Sequence, residues 1–196
     1  MPTHEQIKEA LLKFKKVMNE AGIIFWIEYG TLLGAIREGK IIDWDTDGDV
    51  GVWIDDIPKM KKLETKFLLE GLRIDYQPSH PFVNLKINNR ETIAVLDVYP
   101  FDIIKWKNQQ WIVRIIEGKL FNVRAPANCY VSELDGRQLI KKINFLDSEF
   151  LVPYWAEEAL EFLYGKTWRT PIKRNNSKKP VYGKGGWAKR VQLEDL

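Results

Sequence analysis

The alternation of apolar and polar positions divides this chain into short elements whose period switches between helix and strand. Ile7, Leu11, Leu12, Phe14 and Met18 recur at helical spacing, and Thr3 with Gln6 three residues on has the pattern of a capping box, which predicts a first helix ending near Gly22. "IIFWIEY", Ile23 to Tyr29, is β-branched and aromatic and predicts a strand, and "GTLLGAIREG" leaves it into a short helix closed by Gly39. "DVGVWI", Asp49 to Ile54, reads as a second strand, and Ile57 to Glu70 as a surface helix stopped by Gly71. "LRIDY", "FVNLKI" and "TIAVLDVYPFDIIKW" are alternating segments separated by Pro78, Pro81 and the polar "NNRE", so they predict strands extending one sheet. "KNQQ" predicts a hairpin turn into "WIVRII", and "VPYWAEEALEFLYG" a late helix opened by Pro153 and closed by Gly165. From about residue 172 to 196 the chain is polar and glycine-rich without period, which predicts a loop or tail. Interleaved helices and strands without an internal repeat predict one α+β domain over residues 1–196.

Composition narrows this little. Apolar residues make up 45% and charged residues 29% of 196, ordinary for a soluble domain with a real core and contrary to disorder or a fibrous repeat. The eight Trp are more than expected, and those inside predicted strands are assigned to core packing. Net charge is +3, too small to imply nucleic acid, yet nine basic residues and no acid fall between Lys166 and Arg190. That tail suits either solvent or an anionic surface. Cys129 is alone, so no internal disulfide forms, and a buried inert thiol is expected. The amphipathic start is unlike a secretory leader and no apolar run approaches ~18 residues, so the expected location is cytoplasmic, or peripheral to a membrane through the tail.

Candidate chemistry concentrates in "DWDTDGD", Asp43 to Asp49. Counted as a calcium loop from Asp43, positions 3, 5 and 6 fit, but position 12 is Ile54 where a bidentate Glu is needed. Gly39 also interrupts the entry, and a strand follows where a helix should. On a strand, alternation puts Asp47 and Asp49 on one face with Asp45 at its mouth. Two carboxylates so close repel unless a cation lies between them, and a hard divalent ion with oxygen ligands is the natural one. A solvated acidic turn is the plain alternative. Gly30 and Thr31 open a helix directly after a strand, where backbone N–H groups and a hydroxyl suit a phosphate. Asp97 lies inside the apolar "AVLDVY", where a carboxylate is costly without compensation. A phosphate-cradling turn with three acids suits metal-assisted displacement at phosphorus. That chemistry needs no protein nucleophile, and with His4 and His80 the only histidines no Ser/His/Asp arrangement is evident.

"YGTLLGAIREGKIIDWDTDGDVGV" resembles the signature of the LicD and fukutin-related proteins. "NLKINNRETIAVLDVYPFD" and "FLVPYWAEEALEFLYGKTWRTP" are similar to that family's second and closing blocks, so the likeness runs from about residue 25 to 171. The resemblance implies a nucleotidyltransferase-like mixed sheet flanked by helices. It implies an enzyme using Mg2+ or Mn2+ to move phosphocholine or a polyol phosphate, such as ribitol phosphate, from a CDP-linked donor to a glycan or lipid-linked glycan. By motif position it places Gly30 and Thr31 on the phosphate side, Asp47, Asp49 and Asp97 as catalytic metal acids and Asp45 as a further metal or orienting acid. Arg37 falls on the motif's arginine, a phosphate contact or a structural ion pair, and Lys86 and Arg90 are candidate phosphate contacts. Asp43 stands where relatives carry proline, and Gly48, replacing a branched residue, should loosen the strand between the metal acids. Two other functions stay open: nucleotidyl transfer to a small molecule or protein, and non-catalytic binding of anionic lipid or nucleic acid by the tail. The unequal acids give a direct test. Asp43→Asn should leave turnover nearly intact and Asp49→Asn should abolish it; equal losses in a transferase assay would mean the stretch has been divided wrongly.

Overall fold

The computed structural model describes residues 1–77, 80–86, 92–106, 108–116, 119–130 and 141–171. Arg90 and the tail from 172 lie outside them. The first helix, α1 (His4–Glu20), starts on the capping box: Thr3 Oγ1 accepts from the Gln6 N–H and the Gln6 side chain accepts from the Thr3 N–H. Its buried stripe is Ile7, Ala10, Leu11, Phe14, Val17 and Met18, each at most 1% exposed. Removing each large member from water contributes roughly 1.5–3 kcal/mol, which fixes the face α1 turns to the sheet.

The sheet is mixed. β1 (Phe25–Ile27) pairs antiparallel with β2 (Gly48–Trp53), β2 pairs parallel with β5 (Thr92–Trp106), and β5, β4 (Pro81–Lys86) and β3 (Leu72–Tyr76) continue antiparallel. β5 has 15 residues, more than one neighbour covers. On the edge away from β2, β4 pairs with Thr92 to Asp97, and β6 (Gln109–Ile116) takes over from Phe101 to Trp106. β7 (Lys119–Pro126) pairs with β6, and β8 (Lys141–Phe145) with β9 (Ser148–Val152) makes a separate hairpin. These last three strands are additions to the predicted set. α2 (Tyr29–Arg37) joins β1 to the segment before β2, and α5 (Ala156–Tyr164) closes the described fold.

Two cores lie on the two faces. Against α1 pack Phe25, Ile27, Val50, Val52, Leu96 and Val98. The residues alternating with these face the other way, and there Trp26, Trp53, Tyr99 and Phe101 pack with Tyr130 and with Ala159 of α5. Trp26 and Trp53 thus serve the core as expected, and Cys129 is buried, its thiol pushed up to about 11 by desolvation.

Two expectations are corrected. Ile57 to Glu70 is two helices, α3 (Ile57–Lys61) and α4 (Glu64–Leu69), separated by a turn at Lys62 and Leu63 whose ψ values of −11° and 8° leave the regular helix, and each buries one core side chain, Met60 and Phe67. The late helix begins at Ala156, not Pro153. Trp155 is its N-cap, with φ −102° and ψ 71° outside helical values, and the Tyr154 and Trp155 N–H groups anchor that stretch to the carbonyls of Tyr130 and Cys129. Gly48 also has a packing part: a Cβ there would lie 2.7 Å from Leu96 Cδ2 and 3.1 Å from Ile7 Cγ2, so its bareness lets α1 cross the strand.

Gly51 plays the same part on the opposite face, where a Cβ would stand 2.3 Å from Trp26 Cε2. The Trp26 ring is fully buried among Trp53, Phe101 and Tyr130 and has nowhere to move. Gly51→Ala should therefore cost about 1–3 kcal/mol of overpacking. Melting curves should show it as a drop on the order of 2–4 °C per kcal/mol. An unchanged melting temperature would contradict the packing described.

Candidate active site

The proposed ligands meet at the head of β2. Asp47 lies in the bend just before the strand, Asp49 is its second residue, and Asp97 on β5 is the direct register partner of Asp49. A carboxylate oxygen from each lies within 4.8 Å of the other two. Sequence alternation therefore joined Asp47 to Asp49 correctly, although the strand begins one residue after Asp47. Asp49 and Asp97 are brought together by parallel pairing, which no local spacing shows.

The turn from β1 into α2 is fastened to Asp49 at three points. The Glu28 N–H donates to the Asp49 carbonyl (3.0 Å), the Gly30 N–H donates to Asp49 Oδ2 (2.9 Å), and Thr31 Oγ1 accepts from the Asp49 N–H (2.7 Å). The N–H of Gly30 and the hydroxyl of Thr31, expected at a phosphate, are thus both engaged with the central acid. Thr31 is 3% exposed. Glycine is required at position 30 because a Cβ would lie 2.8 Å from Asp45 Oδ2 and 3.2 Å from Asp49 Oδ2. Tyr29 holds φ at 44°, the left-handed region, at a cost on the order of 1–3 kcal/mol that the three clasps and its ring contact with Tyr99 (4.6 Å) offset.

Crowding acids without a counter-charge raises their proton affinity. Burial, then repulsion from Asp47, Asp97 and Asp45, pushes Asp49 well above the carboxylate range, against the Gly30 N–H, which pulls the other way. Burial and then Asp97 raise Asp47, and burial with Asp47 pushes Asp45 up to about 6. Three convergent carboxylate oxygens that resist sharing negative charge fit a hard divalent cation. Asp45 flanks Gly30 and lies beside the three-acid set, not in it. Asp43 points away: it is exposed, and Lys40 Nζ, 2.5 Å from its Oδ1, lowers its pKa.

The basic candidates are dispersed. Arg37 is largely buried, bonded by Nε and Nη2 to Glu38 Oε1 (2.9 and 2.5 Å) and by Nη1 to the Trp168 carbonyl (3.3 Å). Lys86 pairs with Thr92, five residues before Asp97 and so roughly 16 Å along β5 at ~3.3 Å per residue, and is not brought to the acids. Other residues appear at the site unannounced. Glu28 is fully buried and accepts from Trp26 Nε1 (2.8 Å) and the Tyr130 hydroxyl (2.9 Å). The Tyr99 hydroxyl donates to Asp97 Oδ2 (2.9 Å), and His80 Nε2 is 3.4 Å from the same oxygen. A carboxylate in the apolar run "IIFWIEY" was a signal for Glu28 as good as the one that found Asp97, and alternation from Asp97 points to Tyr99.

A mixed sheet with an acid pair opening one strand, a third acid on the parallel neighbour and a glycine-opened helix beside them is the layout of a nucleotidyltransferase-type domain. The chain belongs to the LicD/FKTN/FKRP family, whose nucleotidyltransferase-domain model matches residues 22–128. It is 27% identical over 170 residues to the human protein "Ribitol-5-phosphate transferase FKTN", covering 85% of this chain and 34% of that one. It is 45% identical over 47 residues to human "Ribitol 5-phosphate transferase FKRP", covering 24% and 10%. The chain therefore spans about a third of the first of these relatives. Among solved structures, the lincomycin-bound lincosamide antibiotic adenylyltransferase LnuA aligns with a TM-score of 0.44 and 15% identity over 74% of this chain and 78% of that one.

The raised acids have a consequence for stability. A carboxyl with a folded pKa above its unfolded value holds its proton in the folded state after the unfolded chain has lost it, so stability falls as pH rises through that window. For Asp45 the window runs from its ordinary value of 3.8 to about 6. In a chelating buffer, Asp45→Asn should melt close to wild type near pH 4 and above it at pH 7, with Asp49→Asn deviating in the same sense. Differences that do not grow with pH would count against this electrostatic account.

Proposed function

We propose that this chain is a metal-dependent transferase that moves a phosphorylated alcohol from a CDP-linked donor to a glycan or lipid-linked glycan. Phosphocholine and a polyol phosphate such as ribitol phosphate are the candidate groups. The observation that carries this is the convergence of Asp47, Asp49 and Asp97, within 4.8 Å, beside a helix start kept bare by Gly30. Relatives named as ribitol-5-phosphate transferases support the phosphoalcohol.

Asp47, Asp49 and Asp97 would hold Mg2+ or Mn2+. When bound, such an ion neutralises phosphate oxygens, orients the leaving group and lowers the pKa of an attacking hydroxyl. The chain's own residues do the rest by placement. Thr31 and the Gly30 N–H fix Asp49 on the strand. Gly30 lets the carboxylates of Asp45 and Asp49 approach the start of α2 closely, and the positive end of that helix favours negative charge there. Burial and Asp47 raise the Asp45 carboxyl, and Arg37, held by Glu38, offsets a small part of that rise without forming an ion pair to it. No helix among the described residues is long and apolar enough to cross a membrane. A cytoplasmic location with the basic tail against a membrane surface is part of the same proposal.

Incubation with CDP-choline, CDP-ribitol, CTP and ATP, followed by mass measurement of the acceptor, tests the reaction. The expected product gains a phosphoalcohol, and the gain disappears in EDTA and in the Asp47→Ala/Asp49→Ala double variant. Transfer of a nucleoside monophosphate alone would replace this proposal with nucleotidyl transfer. Calorimetric binding of Mg2+ that survives the double variant would remove the metal assignment.

A further inference from the structure

Asp97 is contacted by side chains that the proposed reaction leaves without a role. Along the outer edge of β5, the β4 pairing ends at Asp97 and the β6 pairing begins at Phe101. His80, just before β4, and Arg114, on β6, meet across that gap, with Arg114 Nη2 3.0 Å from His80 Nδ1. A guanidinium has only donors, so Nδ1 must accept, and the ring proton stands on Nε2. Nε2 is buried, makes no hydrogen bond of good geometry, and lies 3.4 Å from Asp97 Oδ2. The Tyr99 hydroxyl donates to that same oxygen at 2.9 Å. The imidazole is wedged between aromatic rings, with centroids 4.5 Å from Phe82 and 4.7 Å from Tyr99, and the Arg114 guanidinium packs over the Tyr99 ring at 4.4 Å. Its orientation is therefore set from several sides.

We propose that His80, oriented by Arg114, is a positioning residue for the three-acid centre: together with Tyr99 it fixes the Asp97 carboxylate through Oδ2 and so presents Oδ1 to a divalent cation. Outer partners of metal ligands act in this way, and their loss costs roughly 10–100-fold in metal affinity. The assignment rests on the metal reading of Asp47, Asp49 and Asp97.

The test is binding of Mn2+ alone, without donor or acceptor, measured on the full chain by the electron paramagnetic resonance signal of the free ion. His80→Ala should weaken binding about tenfold or more. His80→Gln, whose amide N–H reaches the place of Nε2, should recover most of that affinity, and Tyr99→Phe should weaken it too while keeping the ring. Melting in EDTA within a few degrees of wild type shows that each variant is folded. His80→Ala binding within twofold of wild type overturns the proposal, as does equal weakening in Ala and Gln variants that both melt early, which would mark a packing role. If His80→Ala does not fold, unchanged Mn2+ affinity in Tyr99→Phe is the overturning result. Wild type that binds no Mn2+ at all sinks the metal reading itself, whereas wild-type binding with an indifferent His80→Ala sinks this inference alone.

Discussion

The site depends on one residue being held from three sides. Asp49 receives the Gly30 N–H on its carboxylate and the Glu28 N–H on its carbonyl, and gives its own N–H to Thr31. These bonds tie the β1–α2 turn to β2, so a candidate ligand is also the clasp of the local backbone. The left-handed Tyr29 and the bare Gly30 follow from that clasp. The chain must turn sharply to present two consecutive groups to one aspartate, and any side chain at position 30 would run into the carboxylates it faces.

Bringing acids together in this way works against folding, and the rest of the molecule is arranged to offset it. On one face α1 seats six buried side chains over β2 and β5, with Gly48 admitting it closely. On the other, Trp26 fills the space that Gly51 leaves, and its indole N–H satisfies the buried Glu28. Both glycines of β2 thus admit close packing, one on each face of the strand that carries Asp49.

Much of this was legible in the sequence, and the rest was not for identifiable reasons. The capping box, the period-2 runs and the acids crowded into "DWDTDGD" are local signals, and the first helix, most strands and the nearness of Asp47 to Asp49 follow from them. Asp97 was legible because a charge in an apolar strand is anomalous by itself. The parallel pairing that sets Asp97 beside Asp49 is not local, and neither is the meeting of His80 with Arg114, 34 residues apart. Lys86 looked useful because it precedes Asp97 in sequence, yet antiparallel pairing carries it to the far end of the strand. The start of the late helix differs from the expectation because Tyr154 and Trp155 are anchored to the backbone of a distant segment, a tertiary contact no propensity records.

β5 has one continuous neighbour on its inner edge and two on its outer edge, with Val98, Tyr99 and Pro100 between them. Pro100, having no N–H to donate, falls where the outer ladder is interrupted. The hairpins on either side of the break are joined across it by side chains, not by backbone ladder, and the junction lies beside an acid of the site. Lengthening or tilting either hairpin would therefore be felt first as a reorientation of Asp97.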